Sequence, residues 1–129
     1  MTTELWMVVA AVGVAWAQIM VAATPGLLRD PMRSFGNRDT EAAQPEWVRR
    51  MERASNNMKE NLPLFVALVL VVHAAGAENV RSAVGAQVFV VARVLYAVAY
   101  TAGIVYVRTL LWGVSIAGML AVASALFGG

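Results

Sequence analysis

The sequence predicts an all-α membrane protein, built as a bundle of four transmembrane helices. The chain has 129 residues, is 60% hydrophobic and has a mean hydropathy of +0.65, which is more apolar than an ordinary soluble domain. Its apolar runs are long enough to cross a hydrocarbon layer of about 30 Å as helices. Most basic residues fall between Arg29 and Lys59, mixed with acidic ones, which is typical of a membrane-flanking loop. We therefore treat residues 1–129 as a single membrane domain.

The first span is predicted over about residues 5–24, a run of roughly twenty mostly apolar residues. A cleaved signal peptide is the alternative, but the run has no basic region before it, contains Gln18 and shows no convincing cleavage site. Pro25 and Gly26 are expected to end this helix. The polar interval that follows, about residues 25–52, is predicted to be a loop at the membrane surface.

The second helix is predicted to begin near Pro45, because a proline in the first turn lacks only an N–H that would be unsatisfied there anyway. A helix from there to about residue 75 has roughly thirty residues and a length of about 45 Å, so its first turns project beyond the bilayer. The second span is its apolar part, about residues 57–75. Arg53, Asn57 and Glu60 then share one helical face at the membrane interface.

The third span is predicted over about residues 83–104, with an arginine near its middle. Arg93 shares a helical face with Tyr96 and Tyr100, which follow it by three and seven residues. Insertion scales assign a cost of roughly 2.5 to 3.5 kcal/mol to an arginine at a helix centre, so Arg93 needs a partner. Two alternatives are open: a buried ion pair with Glu60, or a site for the carboxylate of a bound anion.

The fourth span is predicted over about residues 109–127, with Arg108 at its start. The orientation of the bundle follows from the positive-inside rule, because the turn between spans two and three contains one arginine, Arg81, whereas the polar stretch from Arg29 to Arg53 contains six. That interval is therefore expected to be cytoplasmic, with both termini outside. Four spans then return Arg108 to the side of Arg53.

Several kinds of chemistry are excluded or disfavoured by composition. The chain has no cysteine, so any thiol chemistry needs an external thiol. Its single histidine, His73, has no second histidine or carboxylate at ligand spacing, so no metal is expected. The sequence pI is about 9.5, but the charges of both signs in the first loop indicate a membrane surface, and no nucleic-acid partner is predicted.

The stretch from Arg53 to Pro63 reads R-A-S-N-N-M-K-E-N-L-P and precedes the apolar run of the second span. The spacing R-A-x-x-N-x-x-E-N-x-P resembles the signature of the MAPEG family, the membrane-associated proteins of eicosanoid and glutathione metabolism. The segment G-N-R-D at 36–39 is similar to the family's first loop, and A-R-V-L-Y-A-V-A-Y at 92–100 is similar to its third span. Arg108 lies where members carry an arginine near the start of the fourth span.

The resemblance covers nearly the whole chain, and the N-P ending of the motif together with the short loops resembles the bacterial branch. Two positions depart from the better-known eicosanoid enzymes. Asn61 stands where some members have an aromatic or small residue, and Tyr96 stands where others have histidine. Eicosanoid synthesis is therefore not expected.

The resemblance implies a homotrimer that binds glutathione as cosubstrate between neighbouring subunits, in a site open to the cytoplasm. It implies a multi-pass protein of a bacterial inner membrane. Arg108 is the candidate catalytic residue, because a nearby arginine lowers the pKa of a thiol. The candidate glutathione-binding residues are those whose charges, amides and hydroxyls suit the carboxylates, ammonium and amides of glutathione: Arg38, Arg53, Asn57, Glu60, Arg93, Tyr96, Tyr100 and Thr109.

The function expected on these grounds is that of a glutathione transferase or peroxidase acting on lipophilic electrophiles or hydroperoxides dissolved in the membrane. A family member that binds lipids or small molecules without catalysis is one alternative. A small four-span transporter is another, but it would need a carboxylate deep in a span, whereas Glu4 is terminal and Glu60 interfacial. Simpler interpretations are also open: a solvated helix extension around Arg53, and an arginine reaching the lipid headgroups at Arg108.

Overall fold

The structure, a computed structural model, describes residues 1–29 and 44–128. These two ranges contain four α-helices and no strand, which confirms the all-α prediction. The helices are α1 (Thr3–Arg29), α2 (Glu46–Ala74), α3 (Val80–Ala102) and α4 (Val105–Ser124), and a short 3-10 helix, Ala125–Phe127, follows α4.

Three of these helices have the length and apolar composition needed to cross a membrane: α1, α3, and α4 together with the 3-10 helix. These are the properties of an integral membrane protein. Helix α2 has 29 residues, but its first half is polar, and it is not among the candidate spans of the described residues. The second span, about residues 57–75, therefore stays a prediction.

Helix ends differ from the sequence expectations at three places. Helix α1 continues through Pro25 to Arg29, so the expectation that Pro25 and Gly26 end it is wrong. A proline inside a helix removes one backbone hydrogen bond and bends the chain, but here the apolar run continues beyond it. Pro45 is the residue before α2 and not part of its first turn. Helix α4 begins at Val105, because Gly103 adopts a left-handed conformation (φ 80°) that ends α3 and allows a short turn.

Helices α3 and α4 approach each other closely at two glycines. A methyl group added to Gly85 would lie 2.6 Å from the carbonyl oxygen of Gly118, and one added to Gly118 would lie 2.7 Å from that of Gly85. Small residues at such a crossing let two backbones pack directly, as in other membrane helix pairs. Between α2 and α3, the buried rings of Phe65 and Phe89 stack with centroids 4.1 Å apart.

Polar contacts join three helices at one end of the bundle, which we call the capped end because it contains the capping box of α3. Glu4 of α1 is buried and accepts a hydrogen bond from Ser82, a member of that capping box. Glu78 accepts a hydrogen bond from Thr2 at 2.9 Å and lies 3.0 Å from Nδ1 of His73. These contacts align the start of α1, the end of α2 and the start of α3.

Candidate functional site

The start of α2, the end of α3 and the start of α4 meet at the opposite end of the bundle, which we call the arginine end. The guanidinium of Arg50 packs against Gly103, where an added methyl group would lie 2.9 Å from Nη1 of Arg50. The hydroxyl of Thr101 lies 3.7 Å from the sulfur of Met51. Arg108 is therefore at the same end as the polar half of α2, as the predicted topology requires.

Arg93 connects α3 with α2 through a hydrogen bond. Its side chain is buried, with 1% of its surface exposed, and Nη2 donates to the Oδ1 atom of Asn57 at 2.6 Å. The carbon of the guanidinium lies 4.3 Å from the centroid of the Tyr96 ring, a distance at which a cation is attracted to an aromatic face. Asn61 also donates to Asn57, at 3.1 Å to Oδ1 and 2.9 Å to the backbone oxygen. Asn57 is thus held by two donors.

Two tyrosines connect Arg93 with Arg108. The rings of Tyr96 and Tyr100 meet edge to face with centroids 5.6 Å apart. The guanidinium of Arg108, from α4, lies 4.4 Å from the centroid of the Tyr100 ring. We call the five residues Asn57, Arg93, Tyr96, Tyr100 and Arg108 the arginine–tyrosine chain, because each one contacts the next across three helices.

The buried ion pair between Arg93 and Glu60 is not formed. Glu60 is exposed and makes no ion pair with a residue in the described ranges, and the partner of Arg93 is the neutral amide of Asn57. The charge of Arg93 is therefore not balanced by a carboxylate from the described part of the chain. A buried cation in this state is costly unless an anion or further acceptors reach it.

Arg53 and Thr109, two further predicted site residues, are not part of the arginine–tyrosine chain. Arg53 is exposed and forms no ion pair with a residue in 1–29 or 44–128. Thr109 is exposed, and its hydroxyl donates to the backbone oxygen of Val105 at 3.3 Å, so its own helix already uses it. Arg38 lies outside the described residues.

Neighbouring charges at the start of α2 are already paired, which distinguishes them from Arg53. Arg49 donates a hydrogen bond to Glu46, and Arg50 lies 3.8 Å from the same carboxylate. The hydrogen bond and the charge of Arg49 hold the pKa of Glu46 below its usual value. Glu46 is thus ionised at neutral pH and engages Arg49 and Arg50.

Two roles were missed by the sequence reasoning. Asn61 is buried and positions Asn57, although the sequence identified it only as a departure from the family pattern. Gln18 of α1 is also buried, and neither polar atom of its amide has a hydrogen-bond partner among the described residues. The available signal for Gln18 was its position, because polar groups inside a membrane span are rare and often functional.

Comparison with known proteins gives a family but no named relative. The model of the MAPEG family matches residues 3–128. No curated protein and no solved structure gives a significant match to the chain. The family match extends over essentially the whole sequence, and it includes all four helices of the described residues together with the arginine–tyrosine chain. This protein therefore belongs to the MAPEG family.

Proposed function

We propose that this protein is a membrane-embedded glutathione transferase, which ionises the thiol of glutathione for attack on lipophilic electrophiles or hydroperoxides. The observation that supports this most directly is the arginine–tyrosine chain. It contains one buried arginine without a carboxylate partner among the described residues and a second, half-buried arginine on a different helix. Such a pair suits a ligand that has both a carboxylate and an acidic reactive group.

Binding is proposed to rest on charge complementarity. Glutathione has two carboxylates, and a guanidinium binds a carboxylate through charge-assisted hydrogen bonds. Arg93 has two nitrogen atoms, Nε and Nη1, that are buried without a partner in the described part of the chain. Arg53 is proposed to bind the second carboxylate and Glu60 the ammonium group. Tyr96, Tyr100, Thr109 and Arg38 are further proposed contacts, carried over from the family pattern.

Catalysis is proposed to use Arg108 as the group that stabilises the thiolate. In the transferase reaction the thiolate sulfur forms a bond to an electrophilic carbon, and the leaving group departs with its electron pair. In the peroxidase reaction the thiolate attacks the terminal oxygen of a hydroperoxide, and the O–O bond breaks to give a sulfenic acid and an alkoxide, which takes up a proton to become the alcohol. The thiol of a second glutathione then attacks the sulfenic sulfur, which forms the disulfide and releases water. A site at the edge of the bilayer gives the thiolate access to substrates that partition into lipid.

Assembly and location are part of the same proposal. The exposed positions of Arg53 and Glu60 on a single copy suit a ligand that lies between neighbouring subunits of a homotrimer. The proposed orientation, with the arginine end facing the cytoplasm of a bacterial inner membrane, rests on the positive-inside rule.

Because the chain contains no cysteine, single cysteines can test this orientation in intact cells. We expect Thr3→Cys and Ala75→Cys, both at exposed positions, to react with an impermeant thiol reagent added outside. Gln44→Cys is expected to react only after the membrane is opened. Labelling of Gln44→Cys alone from outside would reverse the orientation.

A non-catalytic lipid-binding member is the second candidate function, and one feature favours it. An apolar groove of about 730 Å³ lies between α3 and α4 toward the capped end, lined by Val84, Gly85, Val88 and Ala117, among others. Its volume is within the range of about 300 to 1,000 Å³ typical of small-molecule sites. This groove is away from the arginine–tyrosine chain, so it does not compete with the proposed site.

A turnover assay separates the two functions. Purified protein in proteoliposomes is expected to accelerate conjugation of glutathione to chlorodinitrobenzene, a lipophilic electrophile, above the rate with empty liposomes. Calorimetric titration with glutathione is run on the same sample. Binding without turnover on this electrophile or on cumene hydroperoxide would favour the non-catalytic function, and absence of glutathione binding would overturn both the transferase and the peroxidase proposals.

A further inference from the structure

The buried amide of Gln18 lies on the face of α1 that packs against α2 and α3. The buried positions of this part of α1 recur every three or four residues, at Ala11, Ala15, Gln18 and Ala22, and α1 contacts both α2 and α3. Only 5% of the surface of Gln18 is exposed, and both Nε2 and Oε1 lack a hydrogen-bond partner among the described residues. A buried amide without a partner costs free energy, so an unsatisfied one requires an explanation.

Counting helical residues from the contacts at the capped end indicates that Gln18 lies at about the depth of the arginine–tyrosine chain. Glu4 contacts Ser82 there, and from that level Gln18 and Tyr96 are each fourteen residues further along parallel helices, about 21 Å at 1.5 Å per residue. On the antiparallel helix α2, Asn57 is sixteen residues from His73, about 24 Å. Gln18, Asn57 and Tyr96 are thus at one level of the bundle, and Arg93 is one turn away from Tyr96.

The unpartnered atoms at this level define the chemistry of the missing partner. Arg93 contributes Nε and Nη1, which only donate, and Gln18 contributes one donor nitrogen and one acceptor oxygen. Donors therefore outnumber acceptors, and a group that satisfies them must be rich in acceptors. Carboxylates and peptide carbonyls have this property, whereas an apolar substrate does not.

We propose that Gln18 is a ligand-binding residue, and that its amide and the guanidinium of Arg93 together bind a carboxylate or peptide carbonyl of the thiol peptide. This inference rests on the proposed function and deepens it, because it adds a fourth helix, α1, to a site otherwise formed by α2, α3 and α4. One end of the ligand then reaches from the proposed subunit interface into the space between α1 and the arginine–tyrosine chain. Its acceptor-rich end is buried, and its thiol is directed toward Arg108.

The test is Gln18→Leu in the full chain, which removes both polar atoms at nearly unchanged volume. Calorimetric titrations use three probes: glutathione and the two dipeptides γ-glutamylcysteine and cysteinylglycine, each of which lacks one end of glutathione. We expect about tenfold weaker glutathione binding, as for loss of a charge-assisted hydrogen bond. For the dipeptide that lacks the group bound by Gln18, the affinities of the variant and the wild type are expected to differ by less than about twofold. A difference of that size is within the effect of losing a neutral contact.

Thermal unfolding of the ligand-free Gln18→Leu variant distinguishes a ligand-binding glutamine from a purely structural one, because loss of a structural glutamine would lower the Tm. Because the amide of Gln18 has no hydrogen-bond partner among the residues that the structure describes, leucine is expected to leave the Tm unchanged or raise it. The matched control is Gln87→Leu, the same change at an exposed position of α3, which is expected to leave all affinities unchanged.

A lower Tm with unchanged glutathione affinity, or equal losses for all three peptides, would overturn the role of Gln18 while leaving the proposed function intact. Wild-type protein that binds none of the three peptides would overturn the proposed function and this inference together. The two failures are therefore distinguishable in one set of titrations.

Discussion

Arg93→Met is expected to weaken glutathione binding about tenfold or more while leaving the ligand-free protein folded. Methionine keeps an unbranched side chain in the buried space but removes the charge and all five N–H donors. Ligand-free stability is expected to hold because a buried guanidinium is itself costly when Asn57 is its one hydrogen-bond partner among the described residues. The loss appears on binding, when the variant can no longer satisfy the carboxylate that Arg93 is proposed to bind.

Two further variants make this result interpretable. Arg81→Met is the matched control, since Arg81 is exposed at the capped end and donates to the backbone oxygen of Gly128. Arg93→Lys keeps a positive charge without the fork of donors and is expected to recover part of the affinity. Glutathione affinity is measured by calorimetry and folding by thermal unfolding. If Arg93→Met and Arg93→Lys both bind glutathione as the wild type does, Arg93 has a role in the fold alone.

The fold could be predicted in its main features because each helix is specified largely by its own residues. The apolar runs that became α1, α3 and α4 are long enough by composition alone, and their existence needed no knowledge of packing. Helix ends were less predictable. Pro25 lies inside α1, because the loss of one hydrogen bond does not outweigh a continuing apolar run in lipid. Gly103 ends α3 through its left-handed conformation, which leaves room for α4 to begin at Val105.

Contacts along one helix could likewise be predicted from the sequence. The spacing of Arg93, Tyr96 and Tyr100 placed the three on one face of the third span, and in the structure each side chain contacts the next. Such contacts depend only on the helical repeat, which is the same in every α-helix.

Contacts between helices could not be predicted from the sequence in the same way. The sequence offered Glu60 as the partner of Arg93, but the structure has Asn57, one turn earlier on α2. Which of the two is within reach depends on the relative depth and rotation of α2 and α3. These are set by distant contacts, such as the stacked rings of Phe65 and Phe89, whose register no local pattern reveals. The depth of Gln18 was hidden for the same reason.

Arg108→Ala is expected to cut turnover at neutral pH about thirtyfold while changing affinity for the protonated form of glutathione little. A free thiol has a pKa of about 8.5, so about 3% of a bound thiol would be ionised at pH 7 without the arginine. With the arginine, the pKa of the thiol is proposed to fall below 7, so that most of the bound thiol would be thiolate. Because the substitution removes stabilisation of the thiolate, the loss of turnover should appear at neutral pH. The loss should shrink above pH 9, where the bound thiol is ionised in both the wild type and the variant.

Arg108 is positioned by an aromatic ring of α3. Its guanidinium lies 4.4 Å from the centroid of the Tyr100 ring, and its side chain makes no hydrogen bond or ion pair with a residue in 1–29 or 44–128. It is therefore held in position by an aromatic face while its N–H donors are not used by the described part of the chain. Arg108 and Arg93 come from different helices, so one arginine can bind a carboxylate while the other approaches the thiol.

Thiolate ultraviolet absorbance, recorded on mixing glutathione with each protein across a pH series, reads the ionisation directly. Arg108→Lys is expected to retain part of the thiolate signal, because a cation remains near the sulfur. Arg49→Ala is the matched control, since Arg49 is an exposed arginine of the same end that is already paired with Glu46. Equal thiolate absorbance in the wild type and in Arg108→Ala at pH 7, with equal glutathione binding, would remove Arg108 from the mechanism. The hydroxyl groups of Tyr96 and Tyr100 would then be the remaining donors of the arginine–tyrosine chain that could stabilise the thiolate.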